Sequence, residues 1–165
     1  MACHRTAPQS PSRRSGMTQK EDTTVLSLME INQRMVEQAD VEILAIIDSL
    51  QANNDAQFAQ MECGAWRMRT DAQARYGDSP KPTEHWRVAM RVYTLNGKLL
   101  QDIEGVYAIK HNDLPIAVEE AVEDMVEGGA TIVYAPWYTA YGMKGTNSVK
   151  PYTNVRFDVT LKGKE

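Results

Sequence analysis

The apolar residues change their period once along the chain, and that single change leaves few folds open. From Val25 to Leu50 they recur at three-and-four spacing; beyond Asn53-Asn54-Asp55 they alternate. Leu28, Ile31, Met35, Ala39, Ile43, Ile46 and Leu50 fall on one side of a helix about seven turns long, begun near Thr23 or Thr24 behind the acidic Glu21 and Asp22. A stripe of that length requires a partner: the chain's own domain, a second copy, or a hairpin broken near Ala39 and Asp40. Residues 1–22, rich in Ser, Pro, Thr and Arg, read as a flexible tether, so the expected organisation is tether 1–22, helical stalk 23–53 and main domain 54–165.

The alternating part supplies strands. Phe58–Met61 and Ala65–Arg69 read as short strands around Gly64, and Asp71 to Thr83, with Gly77, Pro80 and Pro82, as a loop. Trp86, Val88, Met90 and Val92 face one side and Arg87 and Arg91 the other. Asn96-Gly97 then closes a hairpin in which both central residues take positive φ. Val106–Lys110 is expected as a separate strand, Leu114–Val126 as a helix closed by Gly128-Gly129, and Ala130–Pro136 as a strand followed by a loop from Trp137 to Asn154. The last strand turns Val155, Phe157, Val159 and Leu161 inward. Hairpins with one inserted helix, and no crossover helices, predict an α+β fold: an antiparallel sheet curled over one short helix, preceded by a long N-terminal helix.

Composition removes several function classes. Eighteen basic against twenty-two acidic residues give a net charge of −4, so no overall basic field attracts nucleic acid. Two cysteines and three scattered histidines supply neither a disulfide framework nor a metal site, and no cofactor motif is present. Cys63 lacks a neighbouring base in sequence and reads as a half-buried strand residue. Glu119, Glu120, Glu123 and Asp124, opposite Ile116, Ala117, Val118, Val122 and Met125, read as the solvated side of the short helix and not as an acid–base pair.

The C-terminal stretch carries a resemblance. Met125, Gly128-Gly129, Pro136, Ala140-Tyr141-Gly142, Gly145, Val149, Pro151 and Phe157-Asp158-Val159-Thr160-Leu161 follow the order and nearly the spacing of the FKBP-type peptidyl-prolyl isomerases, and Asn96-Gly97-Lys98 stands where that family has its Asp-Gly-Lys turn. The resemblance spans roughly residues 58–162 and implies rotation of Xaa-Pro bonds in unfolded or exported chains. Such a reaction breaks no bond, so it needs no acid, base, metal or cofactor. Its barrier of ~18–20 kcal/mol is lost amide resonance. A dry apolar pocket disfavours the polar planar amide relative to the twisted one.

Carried onto this chain, the resemblance makes Tyr141 the hydroxyl donor and Phe157 the aromatic wall, with Met90, Leu100, Gln101, Leu114, Val118 and Val149 lining the substrate site. Three positions depart from the family: Val118 replaces its tryptophan floor, Met90 a tyrosine and Gln101 an aspartate, with Asp102 next in line if the register slips. These departures make a non-catalytic binding or chaperone module the alternative. Within the family the chain is similar to lipoproteins associated with gliding motility, which implies lipidation at Cys3 and a membrane-anchored periplasmic location; a cytoplasmic one is the alternative. The expected partners are proline-containing polypeptides, and a homodimer through residues 23–53 if the helix stripe is not covered by its own domain.

Overall fold

A computed structural model describes residues 19–54, 56–69 and 77–165. The elements are α1 (Gln19–Asn54), β1 (Gln57–Gln60), β2 (Trp66–Arg69), β3 (His85–Thr94), β4 (Leu99–Ala108), α2 (Ile116–Glu123), β5 (Ala130–Ala135), a 3-10 turn (Trp137–Thr139) and β6 (Val155–Lys164). The strands form one sheet in the order β1-β2-β5-β6-β3-β4, every neighbouring pair antiparallel. The expected α+β class is what the chain adopts.

Two compact units divide the chain, residues 1–34 and 35–165. In the first, Val25, Leu26, Leu28, Met29 and Ile31 are exposed. In the second, the sheet has helices on both faces. Trp86, Val88, Met90 and Val92 of β3 and Val155, Phe157, Val159 and Leu161 of β6 pack with Ala117, Val118, Ala121 and Val122 of α2. Alternate residues of β5 serve the two layers: Val133 and Ala135 join that core, while Ile132 and Tyr134 meet Ile43 and Ile47 of α1 together with Phe58 and Trp66.

Several elements differ from expectation for identifiable reasons. α1 starts at Gln19, ahead of the expected tether boundary, and continues unbroken through Ala39 and Asp40. Its buried stripe in the second unit is Ala39, Ile43 and Ile47, four apart, with Ile46 and Leu50 only half-buried and Leu28 and Ile31 exposed. α2 begins at Ile116, not Leu114, because Pro115 occupies the N-cap and holds its predecessor out of helical geometry. β4 is one ten-residue strand that runs through Gly105 where two shorter pieces were expected. At the hairpin turn only Gly97 has positive φ, +90°, and Asn96 does not.

Cys3 and the greater part of the expected tether lie outside the described residues, as do residues 70–76 of the expected loop. Among the described residues no helix is long and apolar enough to cross a membrane.

The layered core makes a direct prediction. Ile47 has no exposed surface, so Ile47→Ala lowers unfolding free energy by about 2–4 kcal/mol. In the monomer, at protein concentrations too low for pairing, Leu28→Ala changes it by no more than about 0.5 kcal/mol. Urea titration followed by tryptophan fluorescence distinguishes the two.

Candidate functional site

The expected site residues come from four elements that the sheet brings together. Met90 (β3), Phe157 (β6), Val118 (α2), Leu114 before α2 and Val149 in the loop after β5 all belong to one buried cluster, and Leu100 and Tyr141 pack against it from its edge. Tyr141 and Phe157 meet with ring centroids 5.9 Å apart at 51°. The Tyr141 hydroxyl donates to Gln101 Oε1 at 3.3 Å. Burial, and then the nearby Tyr107, push this phenol up to about 12.

A β-bulge gives β4 its contribution. Val92 pairs with Gln101 but Tyr93 with Leu99, so Leu100 is an extra residue in the strand. It packs against the core beside Gln101 instead of alternating away from it. In the same register Asp102 is exposed. That carboxylate faces outward and accepts from Arg91 Nε at 3.2 Å, so Gln101 alone meets Tyr141.

The loop carrying Tyr141 is held by its own backbone. Gly142 N–H donates to Trp137 O at 2.8 Å, Gly145 N–H to Tyr141 O at 3.1 Å and Thr146 N–H to Val149 O at 2.7 Å. Gly145 takes a φ of +63°, and a Cβ there would lie 2.3 Å from Val149 O, which restricts the position to glycine.

Access is limited. Phe157 and Val118 have no exposed surface and Val149 has 1%. Tyr141, Leu100 and Gln101 are the half-buried members of the set.

Sequence reasoning missed Tyr107. Its ring lies over Gly105 two residues earlier on β4, where a Cβ would come within 3.1–3.2 Å of the ring tip. The legible signal was a glycine inside a strand with an aromatic two positions on, on the same face.

The acidic side of α2 also differs from the solvated face expected. Glu119 is buried and accepts from the His111 N–H at 3.0 Å. Glu120 accepts from the N–H groups of Glu62 and Cys63 at 2.6 and 3.0 Å, and Glu123 and Asp124 pair with Lys110 and Arg67. Glu119 and Glu120 satisfy backbone donors of the neighbouring turns, a long-range task invisible to helical periodicity, whereas Asp124 is exposed as expected. Cys63 is pushed up to about 11 by burial and then by Glu120, which leaves it protonated and poorly nucleophilic.

The comparisons with known proteins bear on the fold. No family profile and no curated protein matches the sequence. Among solved structures, a peptidyl-prolyl cis-trans isomerase from Pseudomonas syringae pv. tomato matches with a TM-score of 0.60 at 16% identity, over 79% of this chain and 96% of that one. FkpA from Escherichia coli matches with a TM-score of 0.59 at 17% identity, over 92% of this chain and 75% of that one. The fold is therefore FKBP-like.

Alkylation checks the assignment of Cys63. With Cys3→Ser to leave one thiol, iodoacetamide at pH 8 reacts with the folded protein far more slowly than with the urea-unfolded chain. Removing the carboxylate by Glu120→Gln lowers the thiol pKa and speeds the reaction, by less than unfolding does because burial is the larger cause.

Proposed function

We propose that the chain is a peptidyl-prolyl cis-trans isomerase of the FKBP type, acting on Xaa-Pro bonds of unfolded or exported polypeptides. The observation that carries this reading is the Tyr141–Phe157 ring pair with Gln101 on the phenol, in a fold shared with a peptidyl-prolyl isomerase. Tyr141 exchanges its long bond to Gln101 for one to the substrate carbonyl and fixes that carbonyl in place. The proline ring then lies against Phe157 and the aliphatic rim of Leu114, Val118, Val149 and Met90. Water is displaced there, and the planar amide loses more solvation than the twisted one. Gln101 offers a neutral amide where the family has a carboxylate, so no charge needs to be buried beside the substrate.

One observation favours a second reading, a non-catalytic binding or chaperone module. Phe157 and Val118 carry no exposed surface, and Val118 provides less flat area for a proline ring than an aromatic floor would. Exchange spectroscopy on short Xaa-Pro peptides separates the two. Under the isomerase reading the protein accelerates interconversion, and Tyr141→Phe lowers kcat/KM about 3–10-fold, the value of one hydrogen bond. The rate is flat from pH 6 to 9, because Tyr141, held up near 12, stays a neutral donor throughout and Gln101 does not titrate. Peptide binding without acceleration, by a folded wild-type protein, overturns the isomerase reading and leaves the binding module.

Affiliation with gliding-motility lipoproteins, anchoring through Cys3 and pairing through residues 23–53 complete the proposal. The last is supported by the exposed Val25, Leu26, Leu28, Met29 and Ile31. Native mass spectrometry of detergent extracts reads both attachment and pairing: acyl chains add mass at Cys3, and a dimer doubles the total. An unmodified monomer at high micromolar concentration refutes both.

A further inference from the structure

The loop that carries Tyr141 is fastened to α1 by side chains with no part in the chemistry above. Asn154, at the far end of the loop, uses both halves of its amide. Its Oδ1 accepts from the backbone N–H of Trp137 at 2.9 Å, at the near end, and its Nδ2 donates to Glu42 Oε2 of α1 at 2.5 Å. An N–H requires an acceptor and a carboxylate a donor, so the amide has one orientation. Beside it the Tyr138 hydroxyl donates to Asp40, and the Trp137 indole N–H points at Met35 O at 3.4 Å. The Trp137 carbonyl accepts from the N–H groups of Ala140 and Gly142 at 3.2 and 2.8 Å, the residues on either side of Tyr141. Hydrogen bonds therefore link α1, through Asn154 and Trp137, to the backbone on either side of Tyr141.

We propose that Asn154 and Glu42 are positioning residues for Tyr141, and that α1 sets the seat of the loop through them. The catalytic meaning of this rests on Tyr141 being the hydroxyl donor; the positioning itself does not. Glu42 is exposed, and an exposed charged contact is weak alone. Here its partner is half-buried and closes both ends of the loop, so losing the contact frees Asn154 to leave the Trp137 N–H as well. A cleft of about 190 Å³ lined by Met35, Gln38, Glu42, Trp137, Tyr152 and Asn154 gives the loop room to move when released. A reacting group displaced by a fraction of a bond length loses rate steeply.

A polarity swap tests this in the full-length protein. Asn154→Asp keeps the acceptor for the Trp137 N–H but sets two carboxylates face to face. Adding Glu42→Gln restores a donor–acceptor pair with its direction reversed. Asn154→Asp is expected to shift the Tyr141 ring-proton resonances, which the Phe157 ring current shapes, and to lower the isomerisation rate about 5–10-fold. The double variant returns the resonances to their wild-type positions and the rate to within about twofold of wild type. Glu42→Ala, a mild change on an exposed helix surface, shifts the same resonances and covers the case in which Asn154→Asp fails to fold. Tyr141 signals unmoved by a folded single variant, or moved and not returned by the double, overturn the proposal. An inactive wild type whose Tyr141 signals still shift and recover refutes the isomerase reading alone and upholds the positioning role.

Discussion

β6 is the strand on which the molecule depends. It is hydrogen-bonded on one side to β3 and on the other to β5, and Val155, Phe157, Val159 and Leu161 are buried along it. A strand paired on both edges with one face dry has almost no freedom of register, since a slip of one residue would send Arg156 and Asp158 into the core. The Phe157 ring is thereby placed by a strand held on both edges. The partner ring, Tyr141, comes from a loop and needs separate fastening. One ring belongs to the sheet and the other to a loop that its own hydrogen bonds hold.

Local period and turn chemistry made much of this legible. The alternations in β3 and β6, the Asn96-Gly97 hairpin and the long amphipathic helix are nearest-neighbour statements, and the structure repeats them. What the sequence could not show lies between elements. Leu100 as an extra residue depends on pairing with β3, and the work of Glu119 and Glu120 depends on donors that lie 8 or more residues away. The path from Glu42 to Asn154 joins residues 112 positions apart. Helical spacing assigned those carboxylates to solvent because it knows nothing of a turn docked against the helix. Pro115 was legible and marks the start of α2 by a local rule; the expected boundary at Leu114 overlooked it.

The surroundings of the Tyr141–Phe157 ring pair are mainly apolar. Met90 and Val118 supply aliphatic surface to the cluster that holds Phe157, and Tyr107 lies over Gly105 at its edge. Gln101 brings no charge to Tyr141, and the outward Asp102 keeps its negative charge paired with Arg91. Two hydroxylated rings, Tyr107 and Tyr141, are half-buried at the edge of that cluster.

The inserted residue at position 100 has a consequence for the hairpin it belongs to. Since Leu99 and Gln101 already occupy the opposite faces that an unbroken ladder would assign them, dropping the residue between them scrambles nothing downstream. Loss of that one residue would flatten the strand beside Gln101 while the remainder of the hairpin kept its inside and its outside.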